Sequence, residues 1–251
     1  MSAVGAASTA SDAYALRDRA TLVLAGGKGT RLAEAVPDRP KILAPINGRP
    51  FLDILIEQLA RKGLERLVFL LGDRHAPIVA ALQGRPNVEW SIEERPLGTG
   101  GAVKLAQRFC GEDFFLLNGD TYLDFDAARL FATHAQTKGA VTLAAARVSD
   151  PGRYGSLDLD EVGRVRGFRE KAPSAGPGLI NGGVYLIAPR VLELIGDGVA
   201  VSLENDVFPE LLRRGETLTA VEQAGAFFDI GTESSWKSFA SFCAERERTT
   251  P

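Results

Sequence analysis

Short apolar runs alternate along this chain with longer stretches whose apolar positions recur every three to four residues. Strands are predicted on this pattern at residues 22–25, 66–71, 88–92, 114–117 and 141–146. Between the first two, residues 51–62 place apolar side chains at 52, 55, 56 and 59, the spacing of an amphipathic helix, and Gly63 follows as its terminating residue. Helices are likewise predicted near 77–82, at 100–109 and 126–136, and at 206–214 and 233–248. From residue 153 the character changes. Residues 157–160 and 165–168 flank a turn at 161–163 and predict a hairpin, and the Pro-, Gly- and Ser-rich stretch 171–178 predicts a mobile loop. Strands alternating with helices imply an α/β fold, a single Rossmann-like domain with a mostly parallel mixed sheet flanked by helices. That domain is expected over residues 19–248, behind a flexible tail at 1–18, and the chain has no internal repeat.

Composition narrows the function more than the fold. With 251 residues and 45% hydrophobic content the chain can bury one sizeable core. A formal net charge of −3 argues against nucleic-acid binding, which needs a basic face. No apolar run approaches the length of a membrane span, so no membrane partner is expected. Residues 1–18 are small and polar, with neither the basic start nor the apolar centre of a signal peptide. Cys110 and Cys243 are too few for a disulfide framework or metal site and read as thiols in a reducing cytoplasm. His75 and His134 stand alone, without a nucleophile nearby in sequence.

The first candidate for chemistry is Gly26-Gly27-Lys28-Gly29-Thr30-Arg31, set directly behind the apolar run that begins the fold. A strand feeding a glycine-rich turn leaves backbone N–H groups open to phosphate oxygens, and Arg31 adds a fixed, fork-shaped cation. Two well-known loops are excluded by spacing. A P-loop aligned on Gly27-Lys28 would put its first glycine on Leu22 and its hydroxyl residue on Gly29. A dinucleotide fingerprint starting at Gly27 would end on Leu32. A purely structural tight turn remains the alternative.

Further segments follow in order: Pro40-Lys41, the run 44–50, Pro96-Leu97-Gly98-Thr99-Gly100-Gly101, Leu117-Asn118-Gly119-Asp120, Glu170-Lys171, Asn181-Gly182-Gly183 and Phe228-Asp229-Ile230-Gly231. In that order and spacing, over roughly residues 20–240, the chain resembles the sugar-1-phosphate nucleotidyltransferases, which join a nucleoside triphosphate to a sugar 1-phosphate and release pyrophosphate. Within them, runs 44–51, 91–103 and 179–185 look most like the D-glycero-α-D-manno-heptose 1-phosphate guanylyltransferases. The resemblance implies that Asp120 and Asp229 converge on Mg²⁺, although from spacing alone either reads equally as a cap or turn residue. It implies catalytic roles for Arg31, Lys41 and Lys171. Nucleotide contacts are implied for Leu24, Ala25, Gly26, Gly27, Gly29, Thr30, Glu93, Gly98, Thr99, Gly100, Asn118 and Gly119. Sugar contacts are implied for Tyr154, Gly155, Glu170, Asn181 and Gly182. Two departures stand beside these motifs: Ile42 and Glu233 occupy positions where relatives often carry proline.

Transfer at an α-phosphorus fits this residue set. The attacking oxygen of a sugar phosphate, with a second pKa of about 6, is already largely ionised at neutral pH, so no general base is required. What must be overcome is repulsion between two anions, and cations plus positioning do that. Arg31 and the 26–30 backbone would hold the leaving pyrophosphate, Lys41 the reacting phosphates, and Lys171 the phosphate of the sugar. Base choice rests on Glu93. A carboxylate only accepts, and guanine presents two adjacent donors, whereas uracil and thymine would face it with carbonyl oxygens. The expectation is therefore GTP and a sugar 1-phosphate as substrates of a cytoplasmic enzyme, and the resemblance implies that homo-oligomers can form. The alternatives are mannose 1-phosphate as acceptor, a uridylyltransferase for an amino-sugar phosphate, or a non-catalytic sugar-nucleotide sensor.

Overall fold

A computed structural model describes residues 16–27, 36, 39–169 and 176–249. The apolar runs become strands β1 (Ala20–Leu24), β4 (Arg66–Leu71), β5 (Val88–Ile92), β6 (Phe114–Asn118) and β8 (Val141–Val148). Between β1 and β4 a small antiparallel pair, β2 (Pro45–Ile46) and β3 (Arg49–Pro50), leads into helix α1 (Phe51–Arg61). Helices α2 (Ala76–Leu82), α3 (Gly98–Leu105) and α4 (Ala127–Thr137) connect the next strands, and the hairpin forms as β9 (Ser156–Leu159) and β10 (Val165–Arg169). Beyond it come β11 (Gly178–Ile187), α5 (Phe208–Arg213), β12 (Leu218–Gln223), β13 (Phe227–Asp229) and α6 (Glu233–Thr249). The short β7 (Thr121–Leu123) pairs antiparallel with β13 outside the main sheet.

The main sheet has seven strands in the order β12-β8-β11-β6-β1-β4-β5. All neighbours run parallel except β11, which is antiparallel to both β6 and β8. Alternate residues of each strand serve opposite faces. Leu22, Phe114, Leu116 and Tyr185 face a layer containing Val103 of α3 and Phe208 and Leu211 of α5. Val23, Phe115, Leu117 and Leu186 face one containing Leu52, Leu55 and Leu59 of α1, Ile78 of α2, Leu130 of α4 and Phe239 of α6. Both faces of the central strands are therefore apolar, which is why they read as continuous runs, whereas β5, at the sheet edge, alternates.

Four boundaries differ from the sequence reading. Leu16 is buried in the core, so the end of the stretch expected as a tail belongs to the fold. Residue 178 begins β11 rather than closing a loop, while 171–175 lie outside the described residues. The helix expected at 206–214 is preceded by one π-helical turn, Leu203–Val207, and α3 begins at Gly98 and gives way to a 3₁₀ turn at Gln107–Phe109. Strands β11 and β12 were not foreseen.

Candidate active site

Parallel strands β1, β4, β5 and β6 end at one edge of the sheet, where open α/β sheets bind their ligands. A cavity of about 400 Å³ lies there, walled by Leu24–Gly27, Lys41, Glu93, Gly98, Thr99, Asn118, Asp120 and Glu204. Close backbone approach shapes its floor. A Cβ on Gly26 would stand 3.1 Å from the Gly72 nitrogen, and one on Gly119 only 2.5 Å from the Leu24 carbonyl oxygen, which itself accepts from the Gly119 N–H at 2.8 Å. Glycine at 119 lets the chain leave β6 tight against β1 and sets Asp120 at the cavity wall.

Asp120 and Asp229 are far apart in sequence and adjacent in space. The β7–β13 pair places Asp229 opposite Thr121, and the Ile230 N–H donates to the Asp120 carbonyl at 3.0 Å. Lys41, on a 3₁₀ turn and only 14% exposed, extends its ammonium to within 3.1 Å of Asp120 Oδ2. A point beside Gly231, where a Cβ would be, lies 2.7 Å from Asp229 Oδ1 and 3.3 Å from Lys41 Nζ, so both carboxylates neighbour the same cation. Among the described residues no three His, Cys, Asp or Glu side chains group as a metal site. A metal here would rest on two carboxylates, with ligand and water oxygens completing its shell. That donor set suits Mg²⁺, a hard ion that keeps waters and takes few carboxylates.

Glu93 follows β5, its N–H donating to the Leu71 carbonyl at 2.9 Å. Burial pushes its carboxyl above the ordinary range, against the N–H of Leu97, which donates to Oε2 at 3.0 Å and favours the charge. Oε1 lies against Gly26 and Gly72. Glu93 thus bridges the end of β1 to the loop before α3 while still facing the cavity. Thr99 lines the cavity, whereas Gly100 does not: it is buried, its N–H donates to the Val201 carbonyl at 2.9 Å, and a Cβ there would meet the Val201 side chain at 3.0 Å. The contact expected from Gly100 would have to use its other backbone atoms, since its N–H already has a partner in the fold. Gly98, at φ +70° and 2.6 Å (as a Cβ) from the Val201 oxygen, can be nothing larger.

The expected sugar residues divide. Tyr154 lies beside Asp229: burial and then that carboxylate's charge raise its hydroxyl pKa, and its ring meets Phe227 edge-on with centroids 5.5 Å apart. Gly155 follows at φ +84°. Asn181 opens an irregularity in the β11–β8 register. Its neighbour Gly182 is buried, and a Cβ there would strike Leu123 and the Ala144 carbonyl, so only glycine fits between those groups. Gly29, Thr30, Arg31, Glu170 and Lys171 lie outside the described residues. Glu204, on the π turn, was missed by sequence reasoning and lines the cavity together with Glu93 and Asp120. No motif flags it; only the pairing of the 199–204 segment with α3 brings it in.

A glycine-lined sheet edge, a carboxylate pair and a lysine define a phosphate-handling transferase site on an α/β sheet. Residues 20–246 match the model of the nucleotidyl transferase family, and the chain belongs to that family. It is 36% identical over 173 residues to a D-glycero-α-D-manno-heptose 1-phosphate guanylyltransferase of Campylobacter jejuni, covering 68% of this chain and 76% of that protein. It is 35% identical over 219 residues to a mannose-1-phosphate guanylyltransferase of Mycobacterium tuberculosis, covering 84% of this chain but only 60% of that protein's length. Among solved structures, HddC from Yersinia pseudotuberculosis superposes with a TM-score of 0.80 at 31% identity, over 90% of this chain and 99% of that one. HddC has also been crystallised with GMP-PN.

Proposed function

We propose that this protein transfers GMP from GTP to D-glycero-α-D-manno-heptose 1-phosphate, releasing pyrophosphate and forming a GDP-sugar. The observation that carries the reading is the pairing of Lys41 with Asp120, beside Asp229, at a cavity that Glu93 and Thr99 also line. Groups suited to base recognition and to phosphate chemistry thereby share one cavity.

In this reading Gly26 and Gly27 approach the phosphates by backbone, with Gly29, Thr30 and Arg31 assigned the leaving pyrophosphate by resemblance. Lys41 neutralises charge at the reacting phosphates. Lys171 and Glu170, also assigned by resemblance, would hold the sugar phosphate and a sugar hydroxyl. Leu24 and Ala25 bound the cavity beside the ribose, and Glu93 accepts from guanine N1–H and N2–H₂ through lone pairs that the Leu97 contact leaves free. Tyr154, Gly155 and Asn181 would face the sugar. Asp120 and Asp229 would hold Mg²⁺, which would add positive charge at the α-phosphate as the bond to pyrophosphate breaks. The attacking phosphate oxygen is ionised near neutrality, so the protein's own contribution is alignment and charge balance rather than proton removal.

Cys110 and Cys243 are unpaired, and no described helix is long and apolar enough to cross a membrane; both support a cytoplasmic enzyme drawing on the GTP pool. Homo-oligomerisation is proposed by resemblance alone. The test is pyrophosphate release across GTP, ATP, UTP, CTP and dTTP against a panel of sugar 1-phosphates with Mg²⁺. Selective turnover of GTP with the manno-heptose phosphate supports the reading. Turnover with mannose 1-phosphate alone, which the similarity to the Mycobacterium tuberculosis enzyme makes the second reading, keeps the chemistry and changes the acceptor. Silence across the grid refutes it.

A further inference from the structure

A continuous set of hydrogen bonds runs from the cavity wall to the Asn181 turn through one carboxylate. Glu204 Oε2 accepts from Thr99 Oγ1 at 2.8 Å and from Ser202 Oγ at 3.1 Å, and Glu204 Oε1 accepts from the Tyr185 hydroxyl at 3.2 Å. The Tyr185 oxygen in turn accepts from Asn181 Nδ2 at 2.8 Å, and Asn181 Oδ1 accepts from the Gly183 N–H at 3.1 Å. Thr99 closes the other end by accepting from the Leu203 N–H at 2.8 Å.

The direction of every bond in this set is fixed. An ionised carboxylate only accepts, and a phenol has a single proton to give. With that proton on Glu204, the Tyr185 oxygen must receive from the Asn181 NH₂ group, and the amide oxygen must then face Gly183. Tyr185 is fully buried, so water cannot substitute for a missing partner without cost. A glutamine at 204 would bring donors, allowing Tyr185 to give its proton to Asn181 instead and turn the amide over. The other half of the set is equally constrained. Val201 donates to the Leu97 carbonyl at 2.9 Å and accepts from Gly100, which ties residues 97–101 to the 199–204 segment. Glu204 also sits in the π turn Leu203–Val207, a geometry that concentrates at functional sites.

We propose that Glu204 is a positioning residue that couples the two substrates: it joins the nucleotide-lining Thr99 to Tyr185 and thereby fixes the Asn181 amide for the sugar 1-phosphate. The proposal rests on the guanylyltransferase reading above. Nucleotide contacts on Thr99 would hold this set in the arrangement seen here, so that less order remains to be imposed on Asn181 when the sugar binds. Linkage makes the effect reciprocal.

The experiment is calorimetric titration of the heptose 1-phosphate into the intact protein, with and without an α,β-methylene analogue of GTP that cannot transfer GMP. The readout is the ratio of the two dissociation constants within each protein, so a general loss of affinity or stability cancels. Wild type is expected to bind the sugar phosphate at least about fivefold tighter with the analogue present. In Glu204→Gln and Tyr185→Phe the ratio should fall below about twofold, and the double variant should fall no further, because the contacts act in series. Thermal melting accompanies each variant; should Tyr185→Phe fail to fold, Glu204→Gln decides. Variants that retain the wild-type ratio, or a wild type whose ratio is one, overturn the proposal while leaving the function intact. A wild type that binds no GTP analogue removes the functional reading and the proposal with it.

Discussion

Replacing Phe239 with alanine tests whether helix α6 seats the carboxylate-bearing strands. Phe239 is fully buried, and its ring packs against Phe51 of α1, Tyr122 of β7, Phe228 of β13 and Phe242, at centroid distances of 5.6, 4.8, 5.3 and 6.2 Å. Tyr122 and Phe228 stand within two residues of Asp120 and Asp229, so this cluster joins the wall of the site to the core. Truncation of a buried phenylalanine costs about 3–5 kcal/mol, and four ring partners with no solvent to fill the gap place this position near 4. Leucine retains much of the volume and should cost about 1–1.5 kcal/mol. Against a typical domain stability of about 5–15 kcal/mol, the alanine variant is badly weakened but measurable. Urea unfolding followed by far-ultraviolet circular dichroism, with a shared slope, gives both differences. A loss below about 1 kcal/mol for alanine, or equal losses for alanine and leucine, would refute the reasoning.

Three other outcomes are expected. Asp120→Asn should lower GDP-sugar synthesis at saturating Mg²⁺ by at least about a hundredfold, since it removes a charge at the developing transition state; retention within a few-fold of wild type in a pyrophosphate assay would dismiss the metal role. Glu93→Gln should relax the preference for GTP over UTP in competition assays, because an amide both donates and accepts, and an unchanged ratio would remove Glu93 from base reading. Stability should fall in acid partly through Asp113, whose carboxyl is held below the ordinary range first by its contact with His134, while burial opposes. A depressed folded pKa means this contribution is complete above the unfolded value of about 3.9 and disappears as pH falls through the folded one, so Asp113→Asn should flatten the unfolding curve below pH ~4. Asp160, Glu210 and Glu222 are lowered in the same sense on the surface, and a variant with the wild-type acid midpoint would show that they, not Asp113, set it.

The strands buried on both faces were legible because burial on both sides leaves an uninterrupted apolar run, as at 66–71 and 114–117. β11 was hidden because Asn181-Gly182-Gly183 interrupts it, and those residues serve an irregularity in the ladder rather than the strand. β12, with Glu222 and Gln223 at its end, lies at the sheet margin and carries the weaker pattern of an edge. The meeting of Asp120 with Asp229 was legible only through resemblance, since nothing local in either segment specifies the β7–β13 pairing. The packing of Gly100 was hidden for a related reason. A glycine-rich loop at a helix start suggests open N–H groups, yet here the segment around Val201 takes them. Glu204 belongs to no motif, because its importance lies wholly in contacts with residues about twenty and a hundred positions away.

The central claim is attack at the α-phosphorus of GTP by a sugar phosphate. GTP labelled separately at the α and γ positions, incubated with the manno-heptose 1-phosphate and Mg²⁺, follows the bond that breaks. The account predicts α-label in the GDP-sugar and γ-label in pyrophosphate. Label released as orthophosphate with GDP, or α-label that never joins the sugar, would contradict it.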